Sequence, residues 1–175
     1  MNVDFNNFDN KADFHWGETN LQAELMQTLE VGNSTLFFCI DGRATTLLYN
    51  KKHTFRKGDI LIANWDMHPV FLSMSKNFST HFCKMSDEVF YEIFRTVSST
   101  FCQFTYNYPI FKLTIEQSHQ HKIWKEQLVW LYENYNGENR KQLIINYFQS
   151  LMLVVDNEIL KIIPLLTLKA MPRQL

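Results

Sequence analysis

Apolar positions along the chain keep one rhythm up to Thr114 and another beyond it. In the first part, short apolar runs alternate with turn signals. Residues 34–40 read STLFFCI, apolar at nearly every position, which suits a strand covered on both faces. Asp41-Gly42 predicts a tight turn, because glycine takes positive φ freely and Asp tolerates it. Residues 44–49 then return as the partner strand. Asn50-Lys51-Lys52 turns into His53-Thr54-Phe55, and Lys57-Gly58-Asp59 turns into a buried strand over 60–63. Asn64-Trp65-Asp66 breaks it, and 68–74 and 78–85 close the series. Short strands at this spacing predict a sandwich or barrel.

Ser86, followed by Asp87 and Glu88, reads as a helix start, and Val89, Ile93, Phe94 and Val97 form its stripe over about 87–98. Residues 101–105 read as a strand and 109–113 as a short extended piece. Thr114 to Gln117 has capping-box spacing. The helix behind it puts Trp124, Leu128, Leu131 and Tyr135 on one face, and Asn136-Gly137 stops it. A second helix, 142–163, is apolar on too many sides for a surface helix. Ile144, Phe148, Leu151 and Val155 line one side, and Leu143, Tyr147, Leu153, Val154 and Ile162 widen it. One side can cover the strands; the other needs a partner, and a two-fold homodimer supplies one. The expected dimer residues are Ile144, Tyr147, Phe148, Leu151, Val154, Val155 and Ile162. Pro164 should end or kink this helix.

Length and composition narrow the classes. The chain has 175 residues and a net charge of -1, so it suits one domain with a helical appendage and has no global field for nucleic acid or anionic membrane. Arg43, Lys51, Lys52, Arg56 and Lys57 cluster around predicted turns and read as a solvated hairpin edge, where cations discourage stray strand pairing, rather than as a phosphate-binding patch. No charged-then-apolar leader opens the chain, and no uninterrupted membrane-length apolar run occurs. Cys39, Cys83 and Cys102 lack metal-type spacing and read as reduced, packed thiols of a cytoplasmic protein. Residues 1–18 are Asn/Asp-rich with Phe5, Phe8, Phe14 and Trp16 interspersed. They read as an arm, either frayed or folded back on the domain.

Phe37-Phe38-Cys39-Ile40-Asp41-Gly42, the strand 44–49, and Phe55-Arg56-Lys57-Gly58-Asp59-Ile60-Leu61-Ile62 carry a resemblance, with His68 and Phe78-Ser79-Thr80-His81-Phe82 at suitable distances. This run and the helix pair resemble the N-terminal regulatory region of AraC-type bacterial transcription regulators. The resemblance implies an α+β fold: a cupin or jelly-roll-like β-barrel over 19–113, then an antiparallel helix pair over 114–164 that makes a homodimer. It implies a small-molecule effector in the barrel mouth and DNA contact only through a helix-turn-helix part absent from this chain. Residues 165–175 would begin the linker to it. Asn64-Trp65-Asp66 departs from the Pro-Pro-Gly-like loop of many relatives. Asp41 stands where sugar-responsive members have Arg, so the charge at that position is reversed.

The candidate chemistry is sparse. The H-x-H pair of metal-binding cupins is missing from 43–54, which holds only His53. His119 and His121 have that spacing on a helix, where residues two apart diverge. No metal, cofactor or catalytic residue is therefore expected. His68 sits at a strand start and could meet a ligand or a backbone carbonyl. His81 and Cys83 share a strand face as a dyad or as packed core, and Phe82 belongs to the other face. Phe38, Tyr49 and Trp65 could line an apolar pocket, and Asp41 could bind a cation or hydroxyl or simply make its turn. The expected ligand set is thus Phe38, Asp41, Tyr49, Trp65, His68, His81 and Phe82. A stand-alone cupin enzyme, or an oligomerisation module with a filled barrel, are the rival readings.

Overall fold

The computed structural model describes residues 13–29, 34–64, 66–112 and 114–170. Among these residues eight strands and four helices follow in the order β1 (Phe14–Thr19), β2 (Ser34–Asp41), β3 (Arg43–Leu48), β4 (Lys51–Arg56), β5 (Asp59–Ala63), β6 (Val70–Met74), β7 (Ser79–Met85), α1 (Asp87–Phe94), α2 (Ser99–Asn107), β8 (Ile110–Lys112), α3 (Ile115–Asn134) and α4 (Arg140–Ala170). The strands make two antiparallel sheets, ordered β1-β7-β2-β5-β8 and β4-β3-β6. This is the expected α+β, cupin-like sandwich followed by helices.

The apolar run of β2 has a direct structural reason. Phe37 and Cys39 point between the sheets, where Phe55, Leu61, Phe71, Phe78 and Phe82 fill the interior. Leu36 and Phe38 point the opposite way, into a second core under α1, α3 and α4. Both faces of β2 are therefore removed from water, as its composition requires. The cover comes from Val89 and Ile93 of α1, Trp124 and Leu128 of α3, and Ile144, Phe148, Leu151, Val155 and Ile159 of α4. Trp124 Nε1 also donates to the Tyr147 carbonyl at 2.7 Å, fixing α3 on α4.

Two expectations need correction, and two narrow to one of their alternatives. Residues 14–18 of the arm are folded back on the domain: they lie in β1, paired with β7 at Trp16↔Cys83 and Glu18↔His81. The strand was masked by its polar flanks; Phe14 stacks on Phe148 at 6.0 Å and anchors it. Residues 101–105 are helical, within α2. Ser98 caps that helix by accepting from Phe101 N, so Phe101 and Thr105 fall on one buried face. The turn expected at 50–52 is Tyr49-Asn50, with φ of 46° and 61°, and β4 starts at once at Lys51. Pro164 does not end α4, which runs on to Ala170; the helix forgoes one backbone bond there. Phe5, Phe8 and Trp65 lie outside the described residues.

Among the described residues one helix segment, Arg140–Lys161, is long and apolar enough by composition to cross a membrane. Its main apolar stripe is spent on the core. Ile144, Phe148, Leu151 and Val155 are between 0% and 6% exposed. They are buried inside the protomer and have no surface left for a second copy, which corrects the expected dimer set. Tyr147 is half-buried, Val154 is 41% exposed, and the side chain of Ile162 lies outside the described residues. Among the described side chains of α4, the exposed large apolar ones are Leu153, Val154 and Leu160.

Candidate functional site

The expected ligand residues do not converge, because strand alternation sends them apart. Phe82 is fully buried between the sheets. Phe38 and His81 face the helices. Trp16 lies 5.4 Å from the His81 ring and 6.3 Å from Phe38, and Phe38 is 6.2 Å from Trp124. His81 Nε2 stands 3.5 Å from Glu18 Oε2. This is a packed aromatic layer rather than an open mouth. Asp41 sits in a turn, where the Gly42 amide and Asn77 hold its carboxyl below the usual range. His68 is exposed.

Tyr49 is held at a strained positive φ for a bulky residue. Its hydroxyl donates to Asp66 Oδ1 at 3.2 Å, and its ring meets Tyr106 of α2 at 5.6 Å. Burial and Asp66 push the phenol up to about 12, so it stays a donor.

His81 and Cys83 do share a face, but burial pushes the Cys83 thiol up, and it donates to the Lys84 carbonyl at 3.8 Å. Cys39 is likewise pushed up to about 12, chiefly by burial. Neither sulfur suits nucleophilic work, which needs a thiolate. His119 is exposed on α3. Among the described residues no group of three or more His, Cys, Asp or Glu is placed to hold a metal ion.

Concave space lies elsewhere. A cleft of about 550 Å³ opens between α1 and α2 at the end of β5. Phe90, Tyr91, Phe94 and Arg95 form one wall, with Glu88 and Glu92; Cys102 and Thr105 form the other, and Asn64 contributes from the end of β5. Phe90 and Phe94 stack at 4.1 Å, giving a flat apolar surface. Asn64 Oδ1 is buried and has no hydrogen-bond partner, an unmet acceptor that a bound donor would satisfy. Arg95 is exposed at the C-terminal end of α1. Burial, then Asp156, raises the Cys102 thiol, so it remains a neutral wall residue. The set can hold an apolar molecule that carries a hydrogen-bond donor; of its charged groups Glu88 is paired with Lys141, which leaves Glu92 and Arg95 at the rim.

Both walls are fastened to α4. Gln149 Nε2 donates to the Glu92 carbonyl at 2.8 Å, and Lys141 pairs with Glu88 at 3.2 Å. Asp156, 6% exposed, accepts from Ser98 N at 2.8 Å and from Ser98 Oγ at 2.7 Å, at the start of α2. Sequence reading missed Asn64, Phe90, Arg95, Cys102, Thr105 and Asp156. Reading α2 as a strand removed one wall. The acid at 156, interrupting an apolar helix, was the available signal.

No protein-family model matches the sequence, and no curated protein matches it. Solved structures do. An apo ToxT variant from Vibrio cholerae strain SCE256 is similar with a TM-score of 0.56 at 9% identity, over 86% of this chain and 58% of that one. ToxT from Vibrio cholerae O395, bound to a methylnaphthalenyl butenoic acid, gives 0.49 at 12% identity over 84% and 58%. The AraC-like transcriptional activator CuxR gives 0.43 at 10% identity over 81% and 47%. The first likeness establishes a shared fold, the one the AraC-type resemblance implies. This chain spans only 58% of the ToxT chain it matches.

Proposed function

We propose that this chain is the effector-sensing region of a cytoplasmic, bacterial AraC-type transcription regulator. It works by binding, without catalysis, and controls a helix-turn-helix part that contacts DNA. The effector site in this reading is the α1–α2 cleft rather than the barrel interior, which its own side chains fill. One observation carries it: both walls of the cleft are hydrogen-bonded to α4, the helix whose exposed Leu153, Val154 and Leu160 would meet a second protomer.

A ligand that prefers one spacing of α1 and α2 biases the position of α4 by its difference in affinity for the two spacings. The apolar lining favours an amphipathic molecule, and Arg95, the cation of the cleft, would take an anionic head if it lies on the Arg95 side, away from Glu92. Anilinonaphthalene sulfonate, an apolar anion with a fluorescence readout, tests the site. It should bind saturably, and Arg95→Gln and Phe94→Ala should each weaken it about tenfold. Equal affinity in both variants would reject the cleft as the site.

A further inference from the structure

The antiparallel topology sends the turns β2–β3, β4–β5 and β6–β7 to the end of the sandwich opposite the cleft. There they are tied into one unit. Lys57 N donates to the Gly42 carbonyl at 3.1 Å, Ser75 N to the Arg43 carbonyl at 2.9 Å, and Arg43 N to Ser75 Oγ at 3.0 Å. Asn77 Nδ2 donates to Asp41 Oδ2 at 3.1 Å, and Lys57 pairs with the other oxygen of Asp41 at 3.5 Å.

Within this unit Arg43 and Arg56 are direct cross-strand partners. Their neighbours Ala44 and Phe55 point into the core, so both guanidinium groups leave from the outer face. Like charges placed directly opposite destabilise a strand pair. Among the described residues neither guanidinium has an ion-pair partner. Asp41 is taken by Lys57 and Asn77; Asp59 spends one oxygen on the Arg56 backbone N–H at 2.8 Å and attracts the Arg56 guanidinium without forming an ion pair with it. Beside the pair is a hollow of about 300 Å³, lined by Gly42, Arg43, Arg56, Lys57, Ser75 and Asn77. Ser75 accepts from a backbone amide and so keeps its hydroxyl proton to donate; Asn77 keeps a second N–H.

We propose that this hollow is a phosphoryl-binding site, holding inorganic phosphate or the phosphate of a small organic ester. Two planar guanidinium forks that share the lining of one hollow with a hydroxyl and an amide suit a tetrahedral oxyanion with several acceptors. The anion would also remove the Arg43–Arg56 repulsion. The proposal is independent of the cleft and of the regulatory reading.

Calorimetric titration with inorganic phosphate, and with glycerol phosphate in parallel, tests it against sodium chloride at equal ionic strength. Saturable binding of one phosphate per chain is expected, with at least a tenfold loss in both Arg43→Gln and Arg56→Gln. These exposed substitutions should leave the fold intact by circular dichroism. Without phosphate they should raise the melting temperature, since the repulsion is gone. No saturable binding of either probe would overturn the proposal. So would affinity unchanged in both variants, stabilisation matched by sodium chloride alone, or acetate binding as tightly as phosphate.

Discussion

Asp156→Ala removes the contact by which α4 holds α2. The carboxylate is buried and takes both the amide and the hydroxyl of Ser98, at 2.8 and 2.7 Å. Hydrogen bonds to a charged group contribute about 1.5–3 kcal/mol each. Deleting the charge also relieves its own desolvation, so the net loss should be about 3 kcal/mol. With a urea slope of about 1–3 kcal/mol/M, the midpoint should fall by about 1–3 M. Asp156→Asn keeps one acceptor for the Ser98 amide and offers a donor to its hydroxyl, so it should cost only about 1 kcal/mol. Amide exchange would localise the effect, with protection lost first in α2. A loss under about 0.5 kcal/mol for the alanine variant, the size of an ordinary surface substitution, would refute the claim that this contact couples the helices.

Other expectations follow from single positions. Gly42→Ala should cost about 2 kcal/mol or more by denaturant unfolding. Its φ is +68°, and an added Cβ would sit 2.4 Å from Ser75 Oγ and 2.8 Å from the Phe78 backbone. Leu153→Asp should leave protomer stability nearly unchanged, since Leu153 is 45% exposed, yet weaken the proposed contact with a second protomer in sedimentation. Leu151→Asp, in contrast, should unfold the protomer by placing a charge in its core. His15 is held below 6.5, first by burial and then by Lys84, so the folded state favours the neutral ring. Stability should therefore be intact above the unfolded value and fall as the pH drops through about 6.5, and His15→Gln should flatten that slope.

Where one segment carries a strong pattern, the sequence already states the structure. STLFFCI announces a strand between two cores, Asp41-Gly42 its turn, and Ser86 the start of α1. Trp124, Leu128 and Leu131 mark the buried face of α3. Patterns that depend on distant partners stay hidden. FCQFT has too little periodicity to be told from a strand, and the acid that holds its cap lies 58 positions away. The width of the apolar surface on α4 was legible, but not which part the protomer itself covers. Strand alternation is equally blind to which set faces which core, so Phe82 and His81 were grouped although they point to opposite sides. The cleft arises only when two helices and a strand end meet, and no local signal encodes that.

The proposed effector cleft can be tested most directly through Cys102. All three thiols are raised, but Cys102 lines the cleft and is exposed, while Cys39 and Cys83 are buried, so access sets the order of reaction. A thiol-disulfide exchange reagent should therefore label Cys102 first. Saturating anilinonaphthalene sulfonate should slow that labelling at least tenfold, and in Arg95→Gln protection should require about tenfold more of the anion. An unchanged Cys102 labelling rate in the presence of bound anion would place the ligand elsewhere and contradict the account.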